Sequence, residues 1–291
     1  MTNEQKKFTH FKIHSQYSIC EGAIKIQDLA KYCKQNKIKS IGLSDSFNLC
    51  GALEFSEEIS KVGTQPIIGS QINFKFNESL GKLAIFAKTE NGFKNLTKLS
   101  SKSYLEVKEN TIPHCLLDDL LKNSDDLIVL SGGNDSLFSN IIKKNNFHQL
   151  KEIVKILKQK FQDRFYFEIQ RHGDVGEKNN ENIFLDLSSK FKIPLIASQE
   201  VFYIEKDMYE AHDALLCIGE KTYVEEKNRK KFSNQHFLKP SDEIEKLYKD
   251  LPDALENNYN FPYRFNYKLK KSEPILPSLK IENNLTENDQ L

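Results

Sequence analysis

Short apolar runs and amphipathic stretches take turns along this chain. FKIH at Phe11–His14 alternates as a strand does, Ile26, Leu29, Ala30 and Cys33 fall at helical spacing, and SIGLS at Ser40–Ser44 returns to the strand pattern. The same periodicities predict a helix over Gly51–Lys61, strands over Pro66–Phe76 and Leu83–Ala87, and a helix over Gly92–Lys102. A strand at Leu127–Leu130 precedes a helix at Leu150–Phe161, where Ile153, Val154, Leu157 and Phe161 share one face. Strands at Phe165–Ile169 and Pro194–Ala197, with helices over Asn182–Phe191 and Met208–Ile218, complete the series. Seven strands, each followed by helical pattern, predict an α/β fold with a parallel sheet, either closed as a barrel or doubly wound. The polar residues that interrupt the apolar runs favour the barrel. His14, Asp45, Gln71, Arg171 with His172, and Gln199 with Glu200 fall at strand carboxyl ends, the rim where a parallel barrel gathers its chemistry.

At 291 residues the chain is long enough for one large α/β domain and a tail. Its 42 lysines and arginines against 41 aspartates and glutamates leave no global field that would draw it to nucleic acid. The five cysteines form no C-x-x-C pair, and Cys20, Cys33 and Cys217 sit beside apolar residues where a free thiol packs as a small hydrophobe. That usage suggests a reducing compartment, and a cytosolic protein is expected, with no signal peptide and no membrane partner. Beyond about Pro262 the composition shifts to KLKK, PILPSLK and a polar finish, which reads as a linker.

The opening segment Phe8–Gly22 sets a short strand before His14 and then an acidic turn at Glu21-Gly22, the outline of a metal-dependent hydrolase. Two positions before His14, where a second imidazole would share the strand face, stands Lys12. An ammonium has no lone pair to give a metal.

Taken in order, FTHFKIHSQYSICEGA at Phe8–Ala23, LSDSFNLCGALEFSE at Leu43–Glu57, QPIIGSQ at Gln65–Gln71, FYFEIQRHG at Phe165–Gly173, IPLIASQEVFY at Ile193–Tyr203 and EAHDALLCIGEKT at Glu210–Thr222 carry a resemblance. The chain resembles, over nearly its whole length, the PHP domain at the amino terminus of bacterial DNA polymerase III alpha subunits. The resemblance implies a distorted barrel of seven βα units over residues 1–261, followed at 262–291 by a linker toward the polymerase palm, to which LPDALENN at Leu251–Asn258 is also similar. It further implies, in metal-bearing members, about nine ligands for three metals.

Carried over position by position, that ligand set is depleted. His14, Glu21 and Glu200 keep ligand chemistry, whereas Lys12, Ser46, Gln71, Lys82, Gly133 and Phe202 stand where the family implies donors. Three donors cannot hold the several divalent ions that phosphoester hydrolysis needs. No cofactor is therefore expected in this domain and no catalytic residue within the segment. Lys12 and Lys82, pointing inward, would pair with Glu21 and Glu200 as a salt-bridged plug. The resemblance implies a scaffold within a DNA-directed DNA polymerase that uses Mg2+ elsewhere, with the rest of the alpha subunit, a proofreading exonuclease subunit, and DNA through the holoenzyme as partners. The alternatives are an active phosphoesterase or proofreading exonuclease, and a free-standing histidinol-phosphatase-like enzyme.

Other candidates have plainer readings. Arg171-His172-Gly173 and the pair His212 and Asp213 read as structural, and SGGNDS at Ser131–Ser136 reads as a strand-to-helix turn. Lys227, Arg229, Lys230 and Lys231 are candidates for DNA-backbone contact, weighed against a solvated face that the preceding Glu225-Glu226 favours.

Overall fold

Several strands carry one face that is apolar at one end and polar at the other, and the sheet rolls up with those faces inward. The computed structural model describes residues 7–109 and 111–274. The strands are β1 (Lys12–Ile13), β2 (Ser40–Ser46), β3 (Gln65–Phe76), β4 (Ser79–Ala87), β5 (Cys115–Leu116), β6 (Leu127–Leu130), β7 (Phe165–Gln170), β8 (Leu195–Ser198) and β9 (Glu200–Val201). The helices are α1 (Ile26–Asn36), α2 (Ala52–Lys61), α3 (Glu90–Leu105), α4 (Leu117–Lys122), α5 (Leu137–Lys143), α6 (Phe147–Phe161), α7 (Glu177–Phe191), α8 (Tyr209–Glu220), α9 (Ser241–Leu247) and α10 (Pro252–Asn260).

The strand order is β8-β7-β6-β4-β3-β2-β1-β9, with β5 beside β3. Because β8 pairs with β7 while β9, one residue further on, pairs with β1, the two are halves of a single stave divided at Gln199. That divided stave closes the ring. Asn258 of α10 reinforces the closure, since its buried side chain bonds the backbone of Thr9 in both directions and donates to Ala197 O at 3.0 Å.

The barrel is as expected, but the sheet is mixed, not parallel throughout. β4 runs antiparallel to both β3 and β6. The expected helix between Phe76 and Leu83 does not exist, because only Asn77 and Glu78 join the two strands, with Asn77 at φ 50°. A connection that short makes a hairpin and cannot cross over. Gln71 accordingly lies within β3 and not at its carboxyl end.

One core cluster fills the floor of the barrel, with Phe11, Ile67, Phe86, Ile128, Tyr166 and Ile196 among its members. Gly42 and Gly69 make room for it: a Cβ on Gly69 would come within 2.4 Å of the Phe86 ring, and one on Gly42 within 2.5 Å of Phe11 Cα. Phe261 and Phe265 seal the floor, the Phe261 ring lying 4.5 Å from Phe11 and 4.9 Å from Phe265. Outside the ring, the helices bury larger apolar clusters against the outward strand faces.

The segment expected as linker packs on the barrel at its start. Phe265 is buried, Gln65 donates to the carbonyls of Pro262 and Phe265, and Leu269 O accepts from Ser56. Leu251–Asn258, expected as part of a connection, lies largely in α10. Residues 275–291, including most of PILPSLK, lie outside the described residues. Cys33 and Cys217 are buried as expected, whereas Cys20 is only partly so, and Cys115 joins the buried set.

Replacing Phe261 with Ala removes the seal from a fully buried position. We expect a loss of about 3–5 kcal/mol in denaturant unfolding; a loss below about 1 kcal/mol would place Phe261 outside the core.

Candidate functional site: an ion-paired barrel mouth

Following the inward face of each stave upward shows how the site is built. Tyr166 gives way to Glu168 and Gln170, Ile196 to Ser198 and Glu200, Ile67 to Gly69 and Gln71, and Phe86, on the reversed strand, to Ala84 and Lys82. Period-two alternation puts each trio on one face. Charged groups thus sit directly above an apolar floor, and their partners are internal.

Lys12 is fully buried, with Nζ 3.2 Å from Glu168 Oε1 and 3.6 Å from Glu200 Oε1. Glu200 Oε1 also accepts from Gln71 Nε2 at 2.6 Å and lies 2.9 Å from His14 Nε2. Lys82 Nζ lies 2.8 Å from Asp135 Oδ2 and 3.7 Å from Glu21 Oε1, and Lys230 Nζ reaches the same Glu21 oxygen at 2.6 Å. Lys12 and Lys82 therefore do point inward, Lys12 toward Glu200 and Lys82 toward Glu21, and Glu168, Asp135 and Lys230 join them.

Burial by itself would raise the Glu21 carboxyl, but Lys82 and Lys230 outweigh it and hold it down to about 2. Glu200 is likewise held well below its ordinary range, burial opposing and Lys12 and His14 prevailing. Burial works against the charged form of Lys12 too, and Glu168 and Glu200 overcome it, so its ammonium is retained more firmly than in water.

Asp45 is engaged differently. Its oxygens accept from Ser15 N, Ser15 Oγ and Ser18 Oγ at 2.7, 2.8 and 2.6 Å, and burial raises its carboxyl above the usual value. Ser18 Oγ in turn lies 3.1 Å from His14 Nδ1, so both ring nitrogens of His14 are engaged. Ser46 Oγ donates to Glu21 at 2.6 Å. Phe202 stacks on the His14 ring at 4.4 Å. At Gly133 a Cβ would come within 2.1 Å of Gln170 Oε1, so that position has been filled from β7.

This donor set does not fit a metal cluster. Two ammonium groups stand among the carboxylates, Gln71 presents its amide nitrogen to His14 and Glu200, and both ring nitrogens of His14 already have partners. His172, Asp174 and His236 also bring donor atoms within 4.8 Å of one another. Their nitrogens are engaged as well: His172 Nε2 accepts from Glu200 N at 3.0 Å, His236 Nδ1 lies 3.0 Å from Glu200 O, and His236 Nε2 lies 2.8 Å from Asp174. The two rings stack at 3.9 Å and clamp the backbone of Glu200.

Two of the candidates for DNA contact, Arg229 and Lys230, are engaged in internal ion pairs. Arg229 makes a two-pronged pair with Asp213, both bonds 2.6 Å, and Lys230 is the Glu21 partner. Lys231 is exposed and lies 3.9 Å from Asp213, and Lys227 is exposed. His212 bonds Glu21 O at 2.8 Å, Ser136 caps α5, and Arg171 pairs with Glu181 and Asp250, all structural roles.

The family model described as the PHP domain matches residues 10–172, more than half of the chain. The chain belongs to the PHP family. This PHP domain is 33% identical to DNA polymerase III subunit alpha of Caulobacter vibrioides over 99% of its own length and 26% of that protein, and 34% identical to that of Rickettsia conorii over 97% and 24%. It spans about a quarter of the length of these relatives. Among solved structures it is similar to a two-domain protein from Bacteroides vulgatus containing a predicted PHP-like metal-dependent phosphoesterase. That likeness has a TM-score of 0.43 at 10% identity and covers 82% of this chain and 62% of that one. At that level it adds nothing to the family assignment.

Lys12→Met leaves Glu168 and Glu200 without their buried cation and should lower unfolding free energy by about 3–5 kcal/mol. Lys12→Met with Glu168→Gln should recover part of the loss, and fully additive losses would show that the pair is not coupled. The pH dependence has a fixed sign. Carboxyls held below their unfolded value of about 4.5 contribute stability that is complete above it and is lost as pH falls toward about 2. Thermal melts should therefore fall through that window, and less steeply in Lys82→Met, where Glu21 loses one of the cations that hold it down.

Proposed function

We propose that this PHP domain is a segment of a DNA polymerase III alpha subunit, the replicative DNA-directed DNA polymerase, and that it acts there as a metal-free support. The similarity to alpha subunits over nearly the whole chain supports the first part. The observation that carries the second is the buried Lys12 ammonium between Glu168 and Glu200. A phosphoesterase of this kind uses closely spaced cations to polarise phosphoryl oxygens and to generate hydroxide from water. A lysine buried between two carboxylates supplies the positive charge but cannot coordinate a water and generate hydroxide from it.

On this reading, Glu21 and Glu200 pair with the lysines, and His14 fixes the Glu200 carboxylate. Nucleotidyl transfer and its Mg2+ ions belong to other parts of the alpha subunit, and the domain itself carries no catalytic residue. Its partners are the rest of that subunit and a separate proofreading exonuclease, with DNA engaged through the assembly in the cytoplasm. No helix among the described residues is long and apolar enough to cross a membrane.

Metal analysis of the purified chain, paired with a degradation assay on end-labelled single-stranded DNA, separates this reading from the active-enzyme one. We expect substoichiometric zinc and manganese and no degradation. Stoichiometric metal, with degradation abolished by Glu200→Gln, would establish a phosphoesterase instead.

A further inference from the structure

On the outer wall of the barrel, α6 and α7 leave a depression of about 230 Å3 between them. Leu150 and Leu187, both buried, belong to the cluster that holds these helices on the sheet, and they form its floor. Phe147, 46% exposed, and the half-buried Ile183 wall it, while Lys151, Asp186 and Lys190 stand exposed around it. Phe147 is the first residue of α6, and the Asn146 side chain caps the helix there by accepting from Gln149 N at 3.1 Å. The ring is therefore mounted on a fixed turn. An exposed aromatic ring beside an apolar hollow is the arrangement found at the energetic centre of protein interfaces.

Charge indicates what fills it. α6 carries Lys151, Lys155, Lys158 and Lys160 against Glu152 alone, in a chain whose 42 basic and 41 acidic residues otherwise balance. Lys158 donates to Lys192 O at 3.0 Å, whereas Lys151 and Lys155 have no ion-pair partner among the described residues. Four positions apart, those two share one face of α6, and Lys190 stands on the α7 side of the depression. Lysines around an apolar hollow are complementary to an occupant that carries carboxylates around an apolar side chain. Nucleic acid fits less well, because Asp186 interrupts the basic rim and a sugar-phosphate chain leaves the apolar walls uncovered.

We propose that the α6–α7 depression is a docking site for an acidic amphipathic helix of a protein partner, one large apolar side chain seated against Phe147 and Ile183 and carboxylates reaching Lys151, Lys155 and Lys190. Such helix-in-groove recognition takes its specificity from the apolar anchor and its encounter rate from the charges. The surface depends neither on the state of the barrel mouth nor on membership of a polymerase.

Fluorescence anisotropy tests it with a labelled synthetic helix bearing leucines on one face and glutamates on the other, titrated with the full 291-residue chain at low salt. We expect saturable binding, and none by a twin peptide with lysine in place of every glutamate. Phe147→Ala should weaken binding roughly 5- to 30-fold, and Lys151→Glu with Lys155→Glu at least roughly tenfold. Unchanged thermal melts would show that the variants fold, and the two lysines are exposed, so the charge variant stands as a test by itself. No binding, parent-like affinity in the charge variant, or equal binding of the twin peptide would overturn the proposal. Loss in the charge variant with parent-like affinity in a folded Phe147→Ala would mean charge attraction without an anchor and would also overturn it. Oligo-dT displacing the peptide would assign the face to nucleic acid, and self-association abolished by Phe147→Ala in sedimentation would assign it to a second copy; either result overturns the proposal.

Discussion

An ammonium enclosed in a barrel has to be met by carboxylates, and the architecture of the mouth follows from that one requirement. Lys12 contributes a charge with no access to water, and its desolvation is tolerable only because Glu168 and Glu200 face it from neighbouring staves. Glu200 must then be held in place. The stacked His172 and His236 fix its backbone, while His14 and Gln71 fix its carboxylate. Lys82 imposes the same demand one step away, and Glu21, Asp135 and Lys230 answer it. Such pairs need not make the fold more stable than an apolar filling would. They make each charge depend on the others, which fixes one arrangement of the rim.

That interdependence suits a supporting role. The apolar floor, sealed by Phe261, and the ion-paired top leave a barrel whose interior is occupied at both ends. Closure depends on a stave divided at Gln199, and the same division places Glu200 opposite Lys12 in the β1–β9 register. The rim presents carboxylates to lysines.

Much of this was legible in the sequence, and the omissions have physical reasons. The strand and helix periodicities placed most of the large elements within a few residues, and Lys12 announced the loss of a donor because its side chain has no lone pair. The reversal of β4 was missed because Ser79–Lys82 carries little apolar signal, so the hairpin at Asn77-Glu78 was read as a longer connection. Glu168 was visible in principle as the middle of the alternation Tyr166, Glu168, Gln170, where a carboxylate shares a face with an aromatic floor residue. Asp135 was read only as part of a turn, and Lys230 as part of a charge run. Their roles depend on contacts across 53 and 209 positions of sequence, which no local pattern reports. The clamp on Glu200 is likewise a tertiary fact, assembled from two loops, around His172 and His236, that are 64 positions apart in sequence.

The central claim is that lysine ammonium groups occupy the place of cations. Side-chain NMR of the labelled chain during titration with Mn2+, a paramagnetic ion that broadens nearby resonances, tests it most directly. The account predicts that the Lys12 ammonium gives a protected signal and that the resonances of His14, Glu21 and Glu200 persist. Saturable broadening centred on those three residues, with loss of the Lys12 signal, would contradict it.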